Sequence, residues 1–587
     1  MATQDRPSST ASAPSPRRWR PRPADGVALA AALIVLGPAL QPGYVLLRDM
    51  MFVPDPVWSP RLLGLTGETP RGVPSDLAVY LAALVVPAWV VQKVALLGAL
   101  VLAGSGAARL AGSAGRLAAV TAAIAAIWNP WVGERLLMGH WAVLLGYAAV
   151  PWIALLAVRR LRDGGPWPGL AAAISLAGLM GASAQVLATL VLGGAVVAAG
   201  LGPDRVGARI LWRRAWGPLM LHGLWAVPWA APSLLGTAQG SDPAGFGAFT
   251  PSSDTPFGVI VSVLTGGGIW NAAAVPAGRD SVAAVGAVMM TLLAGWALLT
   301  LGRRTPEVIA LVVAAGMGLF LVGLTAGGPA QALLAGLPGG GLLRDATRQS
   351  GPWVLAVAVG LGLAAGRVGA PAWGHVRWLL PALPILTLPL LAGGVGGALR
   401  PVDVPGGLSV VAQAVACTPA AGPACASDPR VVVLPFRTTR NYAWNADRPS
   451  LSPWSRLVRG EVIESGALVI DVGLDQVVVA AEDPRNVPVQ AALGSTDPVS
   501  ALARLGVGWV IIDDPDLAAP TGAVLVKQTA QARAFRLTPE RAPTQGLPEP
   551  LTPQERRVVL VLDGAVLLGI LVLAGGAFRG AKSHRKR

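Results

Sequence analysis

The sequence predicts a polytopic α-helical membrane protein with about twelve transmembrane helices and an extracytoplasmic α/β domain before the last of them. Of its 587 residues, 53% are hydrophobic and only 13% are charged, and the mean hydropathy is +0.57. Soluble domains carry roughly 25% charged residues. Apolar runs of spanning length recur along the chain, and strand-like runs cluster near its C-terminus. The net charge of +15 is therefore interpreted through its placement around a bilayer, with no nucleic acid expected as a partner.

Residues 1–24 are rich in Ser, Pro and Arg, which is typical of a disordered segment. A cleaved signal peptide is the alternative for the first apolar run. That run is long, however, and no small-residue cleavage site follows it, so a retained helix is predicted. Residues 76–87, which end at Pro87, are predicted to form an interfacial helix leading into the second span.

Twelve apolar runs have spanning length, which is about 17–25 residues for a helix. Eleven of them form the predicted transmembrane module, residues 25–398, although the fifth and sixth runs alternatively make one broken helix. The runs lie near residues 26–46, 88–108, 117–131, 141–158, 168–182, 184–201, 217–236, 281–301, 306–325, 352–370, 377–397 and 557–578.

Basic residues are distributed asymmetrically between the loops. With the N-terminus in the cytoplasm, the Arg-rich short loops and the basic tail, residues 579–587, all fall inside. This positive-inside pattern predicts a multi-pass protein of the plasma membrane with both termini cytoplasmic. The short loops on the opposite side carry the acidic residues Asp49, Asp55, Glu68, Glu134, Asp242, Asp254, Asp280 and Asp345.

Residues 399–556 leave the membrane on the extracytoplasmic side, before the last span at 557–578. A helix-like segment at 498–505 leads directly into a strand-like run, which favours an α/β or α+β layer. The strand-like runs are 431–434, 468–472, 477–480, 509–512, 523–526 and 534–537.

Polar residues collect at the extracytoplasmic ends of the spans, while the Walker A, HExxH and GxSxG motifs of soluble enzymes are absent from the sequence. A carboxylate at an apolar boundary, such as Asp49 in GYVLLRDMMFVPDPVWSPR, is costly unless something pairs or uses it. Each residue also has an ordinary explanation: Asp49 pairs with Arg48 or caps a helix, and Lys93 snorkels. Together they fit a site for an anionic lipid-linked substrate, formed by Asp49, Asp55, Lys93, Glu134, Arg135, His140, Arg344 and Arg348.

The order of these parts resembles the GT-C superfamily of integral-membrane glycosyltransferases, which use polyprenyl-phosphate sugars. Asp49 matches the acidic residue of the family's first extracytoplasmic loop, and VPAWVVQK at 86–93 looks like the VPGWxxQR segment of cell-wall arabinofuranosyltransferases. NPWVGERLLMGHWAVLLGYAAVPW at 129–152 resembles the second extracytoplasmic loop. Many members carry an adjacent acidic pair in the first loop. This chain lacks that pair, so the use of a divalent cation stays open.

The resemblance implies transfer of a sugar, with arabinofuranose as the candidate, from a polyprenyl-phosphate donor to a cell-envelope glycan. Asp49 would be the general base that takes the proton of the acceptor hydroxyl, and a single displacement would invert the anomeric configuration. Lys93, Arg344 and Arg348 are candidates for stabilising the departing phosphate. The other polar residues at this face would bind substrate, and the α/β domain would bind or guide the acceptor.

Two further alternatives remain open. A lipid or polymer transporter, or a non-catalytic protein of envelope assembly, would also be polytopic. A transporter is expected to show internal repeats and charges at the bilayer midplane, whereas this sequence has no clear repeat and few charges within its spans. A glycosyltransferase-like fold that has lost its activity is the third possibility.

The chain's only two cysteines, Cys417 and Cys425, lie in the predicted extracytoplasmic domain in CTPAAGPAC. An oxidising compartment favours a disulfide between them, which would stabilise the domain by ~2–3 kcal/mol in the chain-entropy model. A metal site is not predicted, because two thiols lack an adjacent His. Mass spectrometry of the alkylated, unreduced protein should show both thiols protected. Two free thiols in that sample would rule the disulfide out.

Overall fold

Eight helices in the described part of the chain are long and apolar enough to cross a bilayer, so the chain is a multi-pass membrane protein. A ninth span results if Leu379–Thr387 and Pro389–Gly397, which are bent by 73°, cross together. The structure is a computed structural model. It describes residues 21–583 except 67–68, 202–204, 237–241, 337–339, 369–377, 416–428, 473–474 and 538–545. The eight helices are Pro23–Leu40, Ala88–Ala114, Trp141–Asp163, Ala182–Leu201, Ala283–Arg304, Pro306–Thr325, Ala346–Arg367 and Pro553–Ala577.

Proline and short polar side chains mark several helix starts. The helix Pro130–Leu137 begins with Pro at its first position, and the Asn129 side chain accepts a hydrogen bond from the Val132 amide at 2.9 Å. The α-helices are α1 (Pro23–Leu36), α2 (Ser75–Ala83), α3 (Ala88–Ala111), α4 (Arg116–Ile127), α5 (Pro130–Leu137), α6 (Trp141–Asp163), α7 (Pro168–Leu179), α8 (Ala182–Leu201), α9 (Ala208–Leu235), α10 (Pro243–Ala248), α11 (Gly258–Leu264), α12 (Ala283–Thr300), α13 (Pro306–Thr325), α14 (Pro329–Gly336), α15 (Gly351–Val368), α16 (Leu379–Thr387), α17 (Ala392–Gly397), α18 (Gly406–Val415), α19 (Trp454–Leu457), α20 (Asn486–Leu493), α21 (Pro498–Arg504) and α22 (Pro553–Ser583).

Small residues let the spans pack closely. A Cβ added at Gly194 of α8 would lie 2.1 Å from the carbonyl oxygen of Ala310 on α13. A Cβ at Gly362 of α15 would lie 2.6 Å from the carbonyl oxygen of Ala118 on α4. Helices in lipid associate through close packing rather than through the hydrophobic effect, so these contacts depend on glycine.

The structure has eight or nine candidate spans rather than the predicted twelve. The apolar runs at 117–131 and 168–182 form α4 and α7, which have 12 residues each and are therefore only about 18 Å long. The run at 217–236 lies within α9, which has 28 residues but contains three prolines and arginines in its first half. The first helix also ends earlier than predicted, because Gly37 takes a φ of +46° ahead of Pro38.

Residues 399–552, here called the α/β region, contain a mixed five-stranded sheet before the final apolar helix α22. The sheet order is β4–β1–β7–β9–β8, in which β4, β1 and β7 are parallel and β9 and β8 are antiparallel. The strands are β1 (Arg430–Leu434), β2 (Thr439–Asn441), β3 (Pro449–Leu451), β4 (Glu461–Ile463), β5 (Leu468–Val472), β6 (Asp475–Val479), β7 (Trp509–Ile512), β8 (Val524–Gln528) and β9 (Arg533–Arg536).

The predicted α/β layer is confirmed. The six strand-like runs correspond to β1, β5, β6, β7, β8 and β9, and the helix-like segment at 498–505 is α21, which precedes β7. The sequence analysis missed β2, β3 and β4, which have three residues each and are therefore defined by their pairing partners rather than by a sequence pattern. The predicted interfacial segment 76–87 is helical only to Ala83. Cys417 and Cys425 lie outside the described residues.

Candidate active site

The loop that carries Asp49 is held by hydrogen bonds to three different elements. The Gln92 side chain on α3 accepts from the Val45 amide at 2.9 Å and donates to its carbonyl at 2.8 Å. The backbone of Arg48 pairs with β3 through N···O distances of 2.6 and 3.0 Å. The Asp49 amide donates to the Met138 carbonyl at 3.1 Å. Because buried backbone groups require partners, these contacts fix the position of Asp49.

The Asp49 carboxylate lies beside the imidazole of His140, with 3.2 Å between Oδ2 and Nε2. The side chain of His140 is only 3% exposed. The side chain of Asp49 is 50% exposed, although many protein atoms lie near it. Burial raises the pKa of Asp49, but His140 and the positive charges of Arg348 and Arg71 outweigh burial and hold this pKa below its usual range. Asp49 is therefore an ionised carboxylate that a reactant can reach.

The surroundings of His140 indicate which ring nitrogen carries the proton. Nδ1 lies 3.3 Å from Nη1 of Arg135, and Nε2 lies 3.1 Å from Nη2 of Arg348 as well as near Asp49. Of these three neighbours only Asp49 is an acceptor, so the neutral tautomer that fits has Nε2–H donating to Asp49 and Nδ1 accepting from Arg135. The approach of Arg348 to Nε2 is then a close contact between two donors, not a hydrogen bond. Burial and the nearby Arg348 lower the pKa of His140 to about 4. A neutral imidazole thus orients the Asp49 carboxylate.

Asp345 pairs with two of the arginines in this cluster. Its Oδ2 lies 2.8 Å from Nε of Arg348 and 3.5 Å from Nη1 of Arg135, and its Oδ1 accepts from the Thr347 hydroxyl at 3.1 Å. Burial opposes ionisation of Asp345, but the two arginines lower its pKa to about 2. Arg348 also donates to the Ser183 hydroxyl at 3.2 Å. The Arg348 side chain is 24% exposed, so it can still meet a ligand.

Arg344 belongs to a second cationic group that includes two residues missed by the sequence analysis. Glu482 of the α/β region lies 3.0 Å from Nη1 of Arg344 and 2.7 Å from Nη2 of Arg71. The Arg344 guanidinium stacks over the Phe249 ring at 4.7 Å. Burial and the charge of Arg71 lower the pKa of Arg344 to about 10, which leaves it charged. Arg71 could have been found from the sequence as a basic residue of the Asp49 loop. Glu482 could not, because it lies more than 400 residues after Arg71 in the sequence.

The side chains of Glu134 and Arg135, two predicted substrate-binding residues, are both fully buried. Arg135 donates to the Thr347 hydroxyl at 2.7 Å, and its Nη2 lies 3.3 Å from Oε2 of Glu134. Glu134 accepts from the Ile269 amide at 3.2 Å, and burial raises its pKa to about 8. Arg135 thus contacts both His140 and Asp345 from the buried side of the site, and Glu134 pairs with Arg135.

Among the described residues, neither Lys93 nor Asp55 forms a hydrogen bond or ion pair with Asp49, His140, Arg135, Arg348 or Asp345. Lys93 is 7% exposed and donates to the side chain of its neighbour Gln92 at 3.3 Å. Asp55 is exposed in a bend, and no described residue forms an ion pair or hydrogen bond with it. The structure therefore brings together Asp49, His140, Arg135, Arg348 and Asp345, and leaves these two residues apart.

A divalent cation would need several oxygen ligands gathered at one point. Within the described ranges, no group of three His, Cys, Asp or Glu residues is placed to hold a metal ion. Asp49 instead faces His140 and two arginines, which are poor surroundings for a cation. The residues at this site thus do not fit a metal centre.

No protein-family model matches the chain, and no curated protein matches it. Similarity is found to solved structures. The cryo-EM structure of arabinofuranosyltransferase AftD from Mycobacteria has a TM-score of 0.57 and 16% identity, over 89% of this chain and 40% of that one. The Archaeoglobus fulgidus oligosaccharyltransferase tethered to an acceptor peptide has a TM-score of 0.47 and 12% identity, over 84% and 68% of the two chains. AglB from the same organism, in complex with an inhibitory peptide and a dolichol-phosphate, has a TM-score of 0.34 and 13% identity, over 83% and 65%.

The chain therefore has a fold similar to that of arabinofuranosyltransferase AftD, in agreement with the fold that the sequence resemblance implies. At 16% identity, the match to AftD concerns the fold. The chain spans about 40% of the length of that protein. Similarity of fold leaves activity to be argued from the site itself.

Gly139, the residue directly before His140, allows the backbone there to lie close to the Asp49 loop. Its φ is +75°, and an added Cβ would lie 2.3 Å from the Leu47 carbonyl oxygen and 2.4 Å from the Met50 amide nitrogen. We expect Gly139→Ala to lower the melting temperature of the purified protein through both backbone strain and this clash. Gly165→Ala is the matched control, because Gly165 has a φ of +82° and open space around it. The control should lose only roughly 1–2 kcal/mol of stability, because it has the backbone strain without the clash. Equal melting temperatures for the two variants would contradict the close approach.

Proposed function

We propose that this protein is an inverting glycosyltransferase that moves a sugar from a polyprenyl-phosphate donor to a cell-envelope glycan at the extracytoplasmic face of the plasma membrane. The observation that carries the proposal is the half-exposed, ionised Asp49, held by a buried neutral His140 beside the partly exposed Arg348. These groups supply a base and a cation at one point.

The proposed reaction is a single displacement at the anomeric carbon. An acceptor hydroxyl oxygen bonds to this carbon as its bond to the phosphate oxygen breaks. The hydroxyl proton passes to Asp49, and the electron pair of the broken bond stays on the polyprenyl phosphate. The Nε2–H group of His140 donates to Asp49 and keeps it oriented. Because the imidazole is neutral, it adds no positive charge beside Asp49. A carboxylate positioned in this way acts as a general base.

Arg348 is our first candidate for stabilising the departing phosphate, and Arg344 with Arg71 is the second. Arg348 lies close to His140, and its planar guanidinium suits a phosphate. Asp345 holds Arg348 in place, so little reorganisation is needed when charge develops on the leaving oxygen. Lys93, the third candidate from the sequence, is buried against Gln92, and its part in phosphate binding stays a prediction.

A lipid-linked donor also needs room for an apolar chain. A mainly apolar cavity lies between α4, α12, α15 and α16, with Ala, Leu, Val and Trp side chains in its walls. Trp353 and Val354, which line it, lie five and six residues after Arg348, in the first turn of α15. We propose that the isoprenoid chain of the donor enters this cavity while its phosphate meets Arg348.

The sugar and the membrane orientation are finer parts of the proposal. Similarity to the fold of AftD and the VPAWVVQK segment together favour arabinofuranose as the transferred sugar. The basic loops favour cytoplasmic termini, which would place Asp49 and the α/β region outside. A polyprenyl-phosphate sugar would then reach the site from the outer leaflet.

We expect Asp49→Asn to reduce glycosyl transfer by about 10²–10⁴-fold, because the amide cannot accept the hydroxyl proton. Asp55→Asn is the matched control: Asp55 lies six residues further along the same loop, exposed and without a described partner. The measurement is release of polyprenyl phosphate from a polyprenyl-phosphate arabinofuranose donor by each purified full-length variant. Normal transfer by Asp49→Asn would refute the catalytic role of Asp49. A wild type that never consumes the donor would favour the non-catalytic alternatives.

A further inference from the structure

One face of the first half of α9 carries two arginines and two tryptophans that none of the roles assigned above uses. Arg209, Trp212, Arg213 and Trp216 are all exposed. Around the axis of an α-helix their four positions fall within roughly 100° of one another, so they share one side of α9. This side of the helix is here called the α9 face.

The arginines of the α9 face carry positive charge that the fold leaves uncompensated. Among the described residues, none forms an ion pair or hydrogen bond with Arg209 or Arg213. The two are four residues apart, and like charges at that spacing repel each other. Both also lie in the first two turns of α9, where the helix dipole disfavours cations. An anion bound between the two guanidinium groups would offset both unfavourable terms.

The tryptophans extend the α9 face towards the middle of the helix. Trp212 is 60% exposed and Trp216 is 52% exposed, and their ring centroids are 6.1 Å apart. Tryptophan is enriched where a membrane meets water, because one end of its ring is polar. Leu219 and Met220, one turn further on, are exposed apolar side chains. The face thus passes from cations through aromatic rings to aliphatic groups, in the order of headgroup, interface and acyl chains.

The contact between α9 and α22 gives the depth of this face in the membrane. An added Cβ at Gly236 would lie 3.4 Å from the Pro550 carbonyl oxygen, and one at Gly569 would lie 2.9 Å from Cδ1 of Leu224. The two helices are therefore antiparallel. Trp216 lies eight residues before Leu224, and the apolar span of α22 ends eight residues after Gly569. The tryptophans are thus level with the edge of the hydrocarbon region, and the arginines lie at headgroup level.

We propose that the α9 face binds one anionic phospholipid. The lipid phosphate lies between the guanidinium groups of Arg209 and Arg213, and the acyl chains lie along Leu219 and Met220. A planar guanidinium suits a phosphate. A zwitterionic headgroup would bring its own cation next to two arginines, so a headgroup with net negative charge is favoured. The site is independent of the glycosyl transfer proposed above.

The test measures the binding of dioleoyl phosphatidylglycerol and dioleoyl phosphatidylcholine to the full-length protein in detergent, by native mass spectrometry during titration with each lipid. Wild type should bind phosphatidylglycerol about tenfold more tightly, because two arginines near a membrane surface attract an anionic lipid. The double variant Arg209→Gln with Arg213→Gln should bring this ratio of dissociation constants to about one. Trp212→Ala with Trp216→Ala should weaken binding of both lipids and keep the ratio.

Arg303→Gln with Arg304→Gln is the matched control. These two arginines are exposed and have no ion pair or hydrogen bond with a described residue. They lie at the same end of the helix bundle, because Glu307 pairs with Arg159 on α6 and the next residue, Arg160, donates to the Arg214 carbonyl at 3.3 Å. The control removes the same charge and should keep the wild-type ratio.

Each outcome decides the proposal. A wild type without the preference would overturn it, and retention of an acidic protein by such a wild type would identify the α9 face as a protein-binding surface. A double variant that keeps the preference, or a control that loses it, would also overturn the proposal. The melting temperatures of wild type and both double variants in phosphatidylcholine should agree. If Arg209→Gln with Arg213→Gln melts lower, the two single variants decide, and each should lower the ratio about threefold.

Discussion

The position of the Asp49 loop depends on the backbone hydrogen bonds that hold it between the membrane helices and the α/β region. The Gln92 side chain fixes the loop at Val45, β3 pairs with it at Arg48, and the Met138 carbonyl accepts from Asp49 itself. Each of these groups would be costly to bury without its partner. The loop consequently has little freedom, and the Asp49 carboxylate is placed by three elements that are distant from one another in the sequence.

Buried charges impose the second constraint. Arg135 and Asp345 are nearly inaccessible, so each has to be paired. Their pairing leaves Arg348 partly exposed and His140 neutral beside Asp49. A group of charged residues is thereby divided into supporting residues, which are buried, and residues that a ligand can reach. Exposure rather than residue type separates the two sets.

The α/β region contributes ion-pair partners to residues between the membrane helices. Glu482 pairs with Arg344 and Arg71, and Arg456 pairs with Asp76. The fold similarity to AftD extends over 89% of this chain. The membrane helices and the α/β region therefore have to be considered together when substrate recognition is discussed.

The sequence by itself determined the membrane class and the α/β layer before the last helix, and it indicated Asp49, His140, Arg344 and Arg348 as candidate site residues, because hydropathy, strand patterns and charge at an apolar boundary are local properties. It overcounted the spans, since proline and glycine shorten α4 and α7 in ways that hydropathy does not record. Only the tertiary structure decided that Lys93 and Asp55 stand apart, that Arg135 is buried, and that Glu482 approaches the site. Those outcomes depend on contacts between residues far apart in the chain, for which a single sequence carries no local signal.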